Sequence, residues 1–309
     1  MATAEGRVGA NVPIGTLVGL AAARLLDAGS PTPRLDAELL VAHAASRDRA
    51  WLHAHPEATL DAGAADALVR CLERRAAGEP IAYIRGFKDW RGLRVGTDRR
   101  ALIPRPETEL LADAAIAEIV HRLGAGEERI TCWELGTGSG AVALALALRF
   151  RSALQLGRLR LVASDASPDA VELASENLAA HGVVDLVTLA CGDLLDGAGG
   201  RLPTPDLVVA NLPYLRSDEV ARGEGSLRYE PRAALDGGRD GLDLVRRLVA
   251  ELPERMAAHG VALLEVGARQ ADEVARLAAG LPAGFTTRAF RDLAGHERVI
   301  AIRARPAQR

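Results

Sequence analysis

Lysine, aromatic residues and cysteine are all scarce in this 309-residue chain. Lys88 is its single lysine, so arginine carries the basic charge; with so much alanine and glycine alongside, this reflects coding bias rather than function. Aromatics make up 3% of residues, and the net charge of −3 leaves no basic surplus. Together these exclude a basic or aromatic module for nucleic acid. Cys71, Cys132 and Cys191 are scattered with no C-x-x-C pair, which excludes a disulfide framework or zinc site and predicts free thiols in a reducing compartment. The longest apolar run, Ala141–Leu148, is far short of a membrane span, and Met1–Val12 has no apolar signal core. A cytoplasmic, membrane-free protein is expected. What remains is 49% apolar and 26% charged, ordinary for a globular chain with a sizeable core, and long enough for about two domains.

Asp206-Leu-Val-Val-Ala-Asn-Leu-Pro-Tyr214 organises the rest. Leu207–Ala210 is too short for a helix, rich in valine and bounded by Pro205 and Pro213, so it predicts a buried parallel strand. Ligands of open α/β sheets bind beyond the carboxyl ends of the strands, which puts Asn211, Leu212, Pro213 and Tyr214 at the ligand edge. A planar NH2 group is a poor nucleophile because its lone pair is delocalised. The Asn211 side-chain oxygen and a neighbouring backbone carbonyl can each accept one of its hydrogens, orienting the nitrogen and favouring the charge it gains on alkylation. Tyr214 offers a flat face for stacking. An ordinary proline turn after a strand would account for the same four residues, so context decides.

Taken in order, residues 13–78 read as helical, with apolar stripes at Leu17, Ala21 and Leu25, at Leu35, Leu39 and Ala42, and at Ala64, Leu68 and Leu72. Thr32-Pro33 marks a helix start, and Gly29 and Gly78 mark ends. His43, His53 and His55 have no partners at ligand spacing and read as surface or satisfied histidines. Ile81 to Val95, with β-type residues and glycine punctuation, predicts a linking hairpin. Two prolines in Leu102-Ile-Pro-Arg-Pro-Glu-Thr-Glu109 hold an extended approach to a helix near Glu107, either a capped loop or a pocket wall.

A strand from Ile130 then enters Gly136-Thr137-Gly138-Ser139-Gly140, where glycines let backbone approach a ligand ahead of the helix Ala141–Leu148. The G-x-G-x-G spacing differs from the dinucleotide G-x-G-x-x-G and is weak alone. Leu159–Ser164 predicts a strand ending at Asp165, which can accept ribose hydroxyls; Leu186–Ala190 predicts one leading to Asp193, which can accept from an exocyclic adenine amine. Between them lies a helix, Pro168–His181. After a polar loop come a helix over Leu242–His259, a strand over Gly260–Val266, a helix over Ala268–Ala279, and strands over Gly284–Phe290 and Glu297–Ile302. Each carboxylate alone is a common cap or turn residue; three strand ends in register with a glycine loop are not a common coincidence.

Glu134-Leu-Gly-Thr-Gly-Ser-Gly140, Asp165, Asp193 and Asn211-Leu-Pro-Tyr214 resemble class I methyltransferases that use S-adenosylmethionine. With Gly78-Glu-Pro-Ile-Ala-Tyr83, Leu102–Glu109, Tyr229-Glu-Pro-Arg-Ala-Ala-Leu-Asp-Gly-Gly238, Asp240-Gly-Leu242 and the late Asp292, Glu297 and Arg298, nearly the whole chain resembles the HemK/PrmC family of protein-glutamine N5-methyltransferases. The resemblance implies an α/β fold with a seven-stranded Rossmann-like domain whose last strand is antiparallel. It implies a helical substrate-protein-binding domain over 1–79, a linker over 80–105 and a methyltransferase domain over 106–309. The cofactor would be S-adenosylmethionine, leaving as S-adenosylhomocysteine, and the substrate the Gly-Gly-Gln glutamine of peptide chain release factors. Two positions depart from the family pattern. Leu212 stands where proline is usual and keeps the backbone carbonyl, while Pro213 restrains it. Leu194 stands where an aromatic commonly follows the aspartate, so its adenine contact would be aliphatic.

Three rivals follow from the same residues. An adenine N6-methyltransferase acting on DNA or RNA shares the planar NH2 but lacks support from charge. A dehydrogenase would need the other glycine spacing. A non-catalytic adaptor for release factors would not need Asn211 or Asp165. No metal is expected, since no ligand cluster is present.

Overall fold

A computed structural model describes residues 8–196, 202–223, 225–281 and 284–304. It divides into two compact units, Met1–Phe87 and Lys88–Arg309.

The first unit packs α1 (Ile14–Asp27), α2 (Pro33–Ala44), α3 (Arg49–Ala54), α4 (Ala62–Ala76) and a short α5 (Ile81–Arg85). Leu17, Ala21 and Leu25 are buried along α1, as expected. The second apolar stripe needs correction. Leu35 is 40% exposed; Ala42 is buried as expected, and Ala37, Leu40 and Val41 carry the rest of the core. Two buried carboxylates cause the shift. Asp36 accepts from Ser30 Oγ at 2.7 Å and from Arg75 Nε at 2.7 Å, while Glu38 accepts from Arg34 Nε at 2.8 Å and Arg49 at 2.6 Å. Burial raises the Glu38 pKa, but the Arg49 and Arg34 guanidiniums outweigh it and hold the carboxyl below its ordinary range. Hydrophobic periodicity alone cannot foresee acids turned inward by arginine.

The helical reading of 13–78 is interrupted between α3 and α4, where Thr59 bridges Pro13. Asp48 and Asp61 cap α3 and α4 by accepting from Trp51 N and Ala64 N. Thr32 precedes Pro33 as expected, but its hydroxyl donates to Asp36 rather than capping backbone. His55 stacks on Trp51, and His53 lies 3.8 Å from Glu38.

The expected hairpin is shorter than the sequence suggests. Ile81–Arg85 forms a helical turn that buries Ala82, Tyr83 and Ile84, and Gly86 ends it at φ 77°. The hairpin itself is β1 (Phe87–Trp90) and β2 (Leu93–Gly96). Arg91 and Gly92 both take positive φ, as a two-residue turn matched to strand twist requires.

The second unit continues with α6 (Thr108–Gly124), β3 (Ile130–Leu135), α7 (Ala141–Arg149), α8 (Arg151–Gln155), β4 (Leu159–Asp165), α9 (Pro168–Ala180), β5 (Val187–Cys191) and β6 (Leu207–Ala210). It ends with α10 (Ser217–Arg222), α11 (Asp243–Arg255), β7 (Val261–Glu265), α12 (Ala271–Ala279), β8 (Phe285–Arg291) and β9 (Glu297–Ala304). The seven strands β3–β9 form one sheet in the order β5-β4-β3-β6-β7-β9-β8. β9 runs antiparallel to both of its neighbours, as the resemblance implied. The helix expected over Leu242–His259 stops at Arg255, just past Pro253, and α12 begins at Ala271 rather than Ala268.

Strand side chains alternate between two cores. Ile130, Cys132, Leu207, Val209, Val261 and Leu263 face one with α6 and α7; Trp133, Leu135, Val208, Ala210, Ala262 and Leu264 face the other with α11 and α12. From β3 the chain crosses to β4 on one side, and later returns to β6 on the other. That reversal opens a crevice at the carboxyl ends of β3 and β6.

Asn177 ties this edge to the hairpin. It is 5% exposed, accepts from Gly96 N at 2.7 Å, and donates to Gly96 O at 3.0 Å and Ser139 O at 2.8 Å. Asn177→Leu should therefore destabilise the fold by about 2–4 kcal/mol, because three backbone groups lose their partner. Urea unfolding of the variant against wild type checks this.

Candidate active site

β3 ends in a glycine turn. Gly136, Gly138 and Gly140 have φ of 67°, 55° and 77°, a region closed to most side chains. Thr137 N donates to Ser164 O at 2.9 Å and Gly138 N to Asp165 Oδ2 at 2.9 Å, so the turn hangs on the end of β4. A Cβ on Gly140 would stand 2.9 Å from Ala174 Cβ, which lets α7 and α9 approach closely. Gly138 differs: a Cβ there would meet nothing nearer than Ala101 at 3.9 Å.

Strand register sets the remaining groups around this turn. Leu135 pairs with Ser164 and Ala210, and Asp165 with Cys191, so Asp165, Asp193 and Asn211 emerge at one edge. Asp165 already has work here, because it accepts from Ser167 N as well as Gly138 N, both at 2.9 Å. Burial nevertheless pushes its pKa up. Asp193 is paired with Arg247. Leu194 is buried at φ 46°, a strained value for leucine. Asn211 donates its amide hydrogen to Thr108 Oγ1 at 3.0 Å. One of its two amide hydrogens is so committed, which fixes the orientation of the amide and leaves Oδ1 free to accept.

These groups wall a cavity of about 350 Å³, a typical size for a small-molecule site. Its lining includes Gly136, Thr137, Gly138, Ser139, Asp165, Asp193, Leu194, Asn211, Leu212 and Pro213. Gly140 and Tyr214 are not in the lining. Gly140 acts one layer back, through helix packing. Tyr214 is half-buried, and burial, with Glu265 beside it, pushes its hydroxyl up to about 12. The expected stacking face at Tyr214 is therefore not part of the cavity wall. Leu102–Arg105 and Thr108 do line it, which decides between the two readings of that stretch in favour of a pocket wall.

Curated proteins similar to this chain include the release factor glutamine methyltransferase of Deinococcus radiodurans, 36% identical over 294 residues, 93% of this chain and 97% of that one. The protein of the same name from Moorella thermoacetica is 37% identical over 91% of this chain and 95% of its own. That from Xylella fastidiosa is 37% identical over 87% and 93%. The model of the PrmC N-terminal domain matches residues 16–86. The chain belongs to the release factor glutamine methyltransferase family.

Membership makes it an enzyme and implies a methyl donor of the S-adenosylmethionine type. The cavity fits such a group. The bare face of Gly138 leaves room against the backbone, and Asp165 keeps free lone pairs after its two backbone bonds. Among the described residues no cluster of three His, Cys, Asp or Glu could hold a metal, and no helix is long and apolar enough to cross a membrane.

Several residues that build the cavity or brace its walls escaped the sequence reading. Glu230, 5% exposed, accepts from Ile103 N at 3.0 Å and Arg105 at 2.6 Å, clamping the Leu102–Arg105 wall. Its signal was present in Tyr229-Glu-Pro-Arg, without an assigned role. Gln270 donates to Tyr214 O at 3.0 Å and steadies the turn after Asn211; nothing local marked it. A Cβ on Gly237 would lie 2.5 Å from Pro213 O, which explains glycine where the 229–242 loop wraps that turn.

Glu134 is the fourth. It is 5% exposed and accepts from Thr137 Oγ1 at 2.9 Å; burial pushes its pKa up to about 8. The folded protein therefore holds a proton that the unfolded chain releases near its ordinary value of 4.5. Stability from this group is lost as pH rises from 4.5 through about 8. Glu134→Gln, which stays neutral, should flatten the fall in Tm between pH 5 and pH 8 by a few degrees. Parallel thermal melts across that range measure it, with an unchanged slope ruling out an extra proton on Glu134.

Proposed function

We propose that the chain transfers the methyl group of S-adenosylmethionine to the side-chain amide nitrogen of the glutamine in the Gly-Gly-Gln motif of peptide chain release factors. The observation that carries this is the Asn211 amide, whose nitrogen is held by Thr108 beside the glycine turn. That arrangement suits a substrate presenting NH hydrogens, because an amide anchored by its nitrogen on Thr108 has its carbonyl oxygen free to accept from them.

S-adenosylmethionine supplies an electrophilic methyl on a sulfonium sulfur. The residues of the chain prepare the other partner. Asn211 Oδ1 accepts one hydrogen of the target amide and the Leu212 carbonyl the second, fixing the nitrogen for in-line attack. The donor, which Asp165, Asp193, Leu194 and Gly136–Gly140 would hold, would supply its methyl by breaking the C–S bond as the N–C bond forms, with the electron pair kept on sulfur in S-adenosylhomocysteine. The surplus proton passes to water. Asn211 Oδ1 interacts more strongly as the nitrogen becomes positive, so its effect grows toward the transition state. Asp165 is assigned the ribose hydroxyls, Asp193 and Leu194 the adenine, and Gly136–Gly140 the amino-acid end of the cofactor. The residues lining the cavity belong to the second unit, and the helical first unit is assigned to holding the release factor in the cytoplasm.

The test is transfer of labelled methyl from S-adenosylmethionine to a release factor, beside the same factor with its Gly-Gly-Gln glutamine replaced by alanine. DNA and RNA serve as parallel substrates. Label in nucleic acid, or in the alanine factor, would remove the reading. Asn211→Ala should lower kcat by about two to three orders of magnitude, the scale set by loss of one preorganised hydrogen-bond partner. Asn211 is also assigned to the methionine end of the cofactor, so calorimetry measures cofactor affinity beside turnover. Leu212→Pro should keep comparable kcat, because only the backbone carbonyl is used. A folded Leu212→Pro enzyme that binds cofactor but does not turn over would give the leucine side chain a role of its own.

A further inference from the structure

Behind Asn211 lies a buried acid that the proposed reaction does not use. Glu265 ends β7, and the pairing of Ala210 with Leu264 brings it beside Asn211 at the sheet edge. It is 1% exposed, and neither carboxyl oxygen has a hydrogen-bond partner of good geometry. Leaving such a group unpaired is costly, so its surroundings must offer it a proton. The Thr108 and Tyr214 hydroxyls face it and hold its pKa down. Glu107 also faces it and raises its pKa, while Arg298, itself held by Asp292 at 3.0 Å, lowers it. Burial dominates and pushes the carboxyl up to about 7. In either protonation state it keeps a lone pair to accept with.

A threonine hydroxyl has one proton. Thr108 is 5% exposed, lies in the cavity wall, and receives the Asn211 amide hydrogen at 3.0 Å. If its own proton goes to Glu265, its oxygen can only accept from Asn211. Without an acceptor behind it, the hydroxyl is free to donate to Asn211 Oδ1 and turn the amide over. The NH2 would then face the target NH2, donor against donor.

We infer that Thr108 and Glu265 form a one-way relay of hydrogen bonds that keeps the acceptor end of Asn211 turned toward the substrate. The relay rests on the function proposed above. Thr108 and Glu265 are positioning residues, acting through Asn211 without touching substrate.

The test is a double-mutant cycle on the full-length enzyme, reading kcat on release factor and cofactor affinity separately. Thr108→Val, close in shape but without the hydroxyl, should lower kcat about tenfold or more, the scale of one hydrogen bond in the transition state. Cofactor affinity should stay within about threefold, because binding does not draw on this bond. Thr108→Ser, which restores the hydroxyl, should recover most of the rate. In an Asn211→Asp background Thr108→Val should cost little more, because a carboxylate has no donor end to misdirect. Glu265→Gln keeps an acceptor and should lose less than Glu265→Leu.

An unchanged kcat in Thr108→Val overturns the relay. So does a fold-loss from Thr108→Val that is equal in the wild-type and Asn211→Asp backgrounds. Should valine prevent folding, Thr108→Ala is judged by the same two criteria. The two readings fail separately. Near wild-type turnover in Asn211→Ala removes the proposed site altogether; loss there with full rate in Thr108→Val removes the relay alone.

Discussion

The side-by-side pairing of β3 and β6 is the constraint on which the rest depends. Leu135 lies opposite Ala210, so the glycine turn and Asn211 leave the sheet at the same level. Because β4 flanks β3 on the other side, Asp165 arrives at that level as well. A slip of one residue in β6 would turn Asn211 to the opposite face and exchange the two cores along that strand. Asp206 opposes such a slip by pinning the start of β6 to β3: its carboxylate accepts from Thr131 N and its own N–H donates to Thr131 O, both at 2.8 Å.

Around that pairing the site is held mostly by long-range polar clamps. Glu230 reaches the wall at Ile103 and Arg105, Gln270 holds the Tyr214 carbonyl, and Asn177 joins the hairpin to the glycine turn. Each satisfies backbone groups that a loop would otherwise leave unpaired, which lets irregular chain line a partly apolar cavity. Asp165 carries two tasks, since the oxygens available to a ligand also hold Gly138 and Ser167. Under the proposed function, cofactor binding and rigidity of the glycine turn would be properties of one side chain.

Much of this is legible in the sequence where the signal is local. Short runs rich in apolar and β-type residues mark β3, β4 and β6, and glycine at 136, 138 and 140 marks a turn with positive φ. Reading fails where the cause is distant. Leu35 reads as core because nothing near it reveals that Asp36 meets Arg75, far along the chain. Ile81–Arg85 has strand-forming residues, yet burying three successive side chains suits a helical turn against α2 and α4 better than a strand. Thr108 lies within a noted motif, but its bond to Asn211 spans more than a hundred residues of sequence. The familiar aromatic of the Asn-Leu-Pro-Tyr turn points to stacking, whereas Tyr214 stands outside the cavity lining.

The scarcity of lysine acquires a use once the chain is seen folded. Lys88 is the first residue of the second unit and lies within β1. A lysine-specific protease therefore has one internal peptide bond to cut, where the helical unit gives way to the sheet-containing one. A strand must leave its partner before a protease can grip it, so the rate of that single cleavage in native buffer reports how often the hairpin opens. The chain carries its own gauge of local unfolding at the junction, and needs no introduced label to read it.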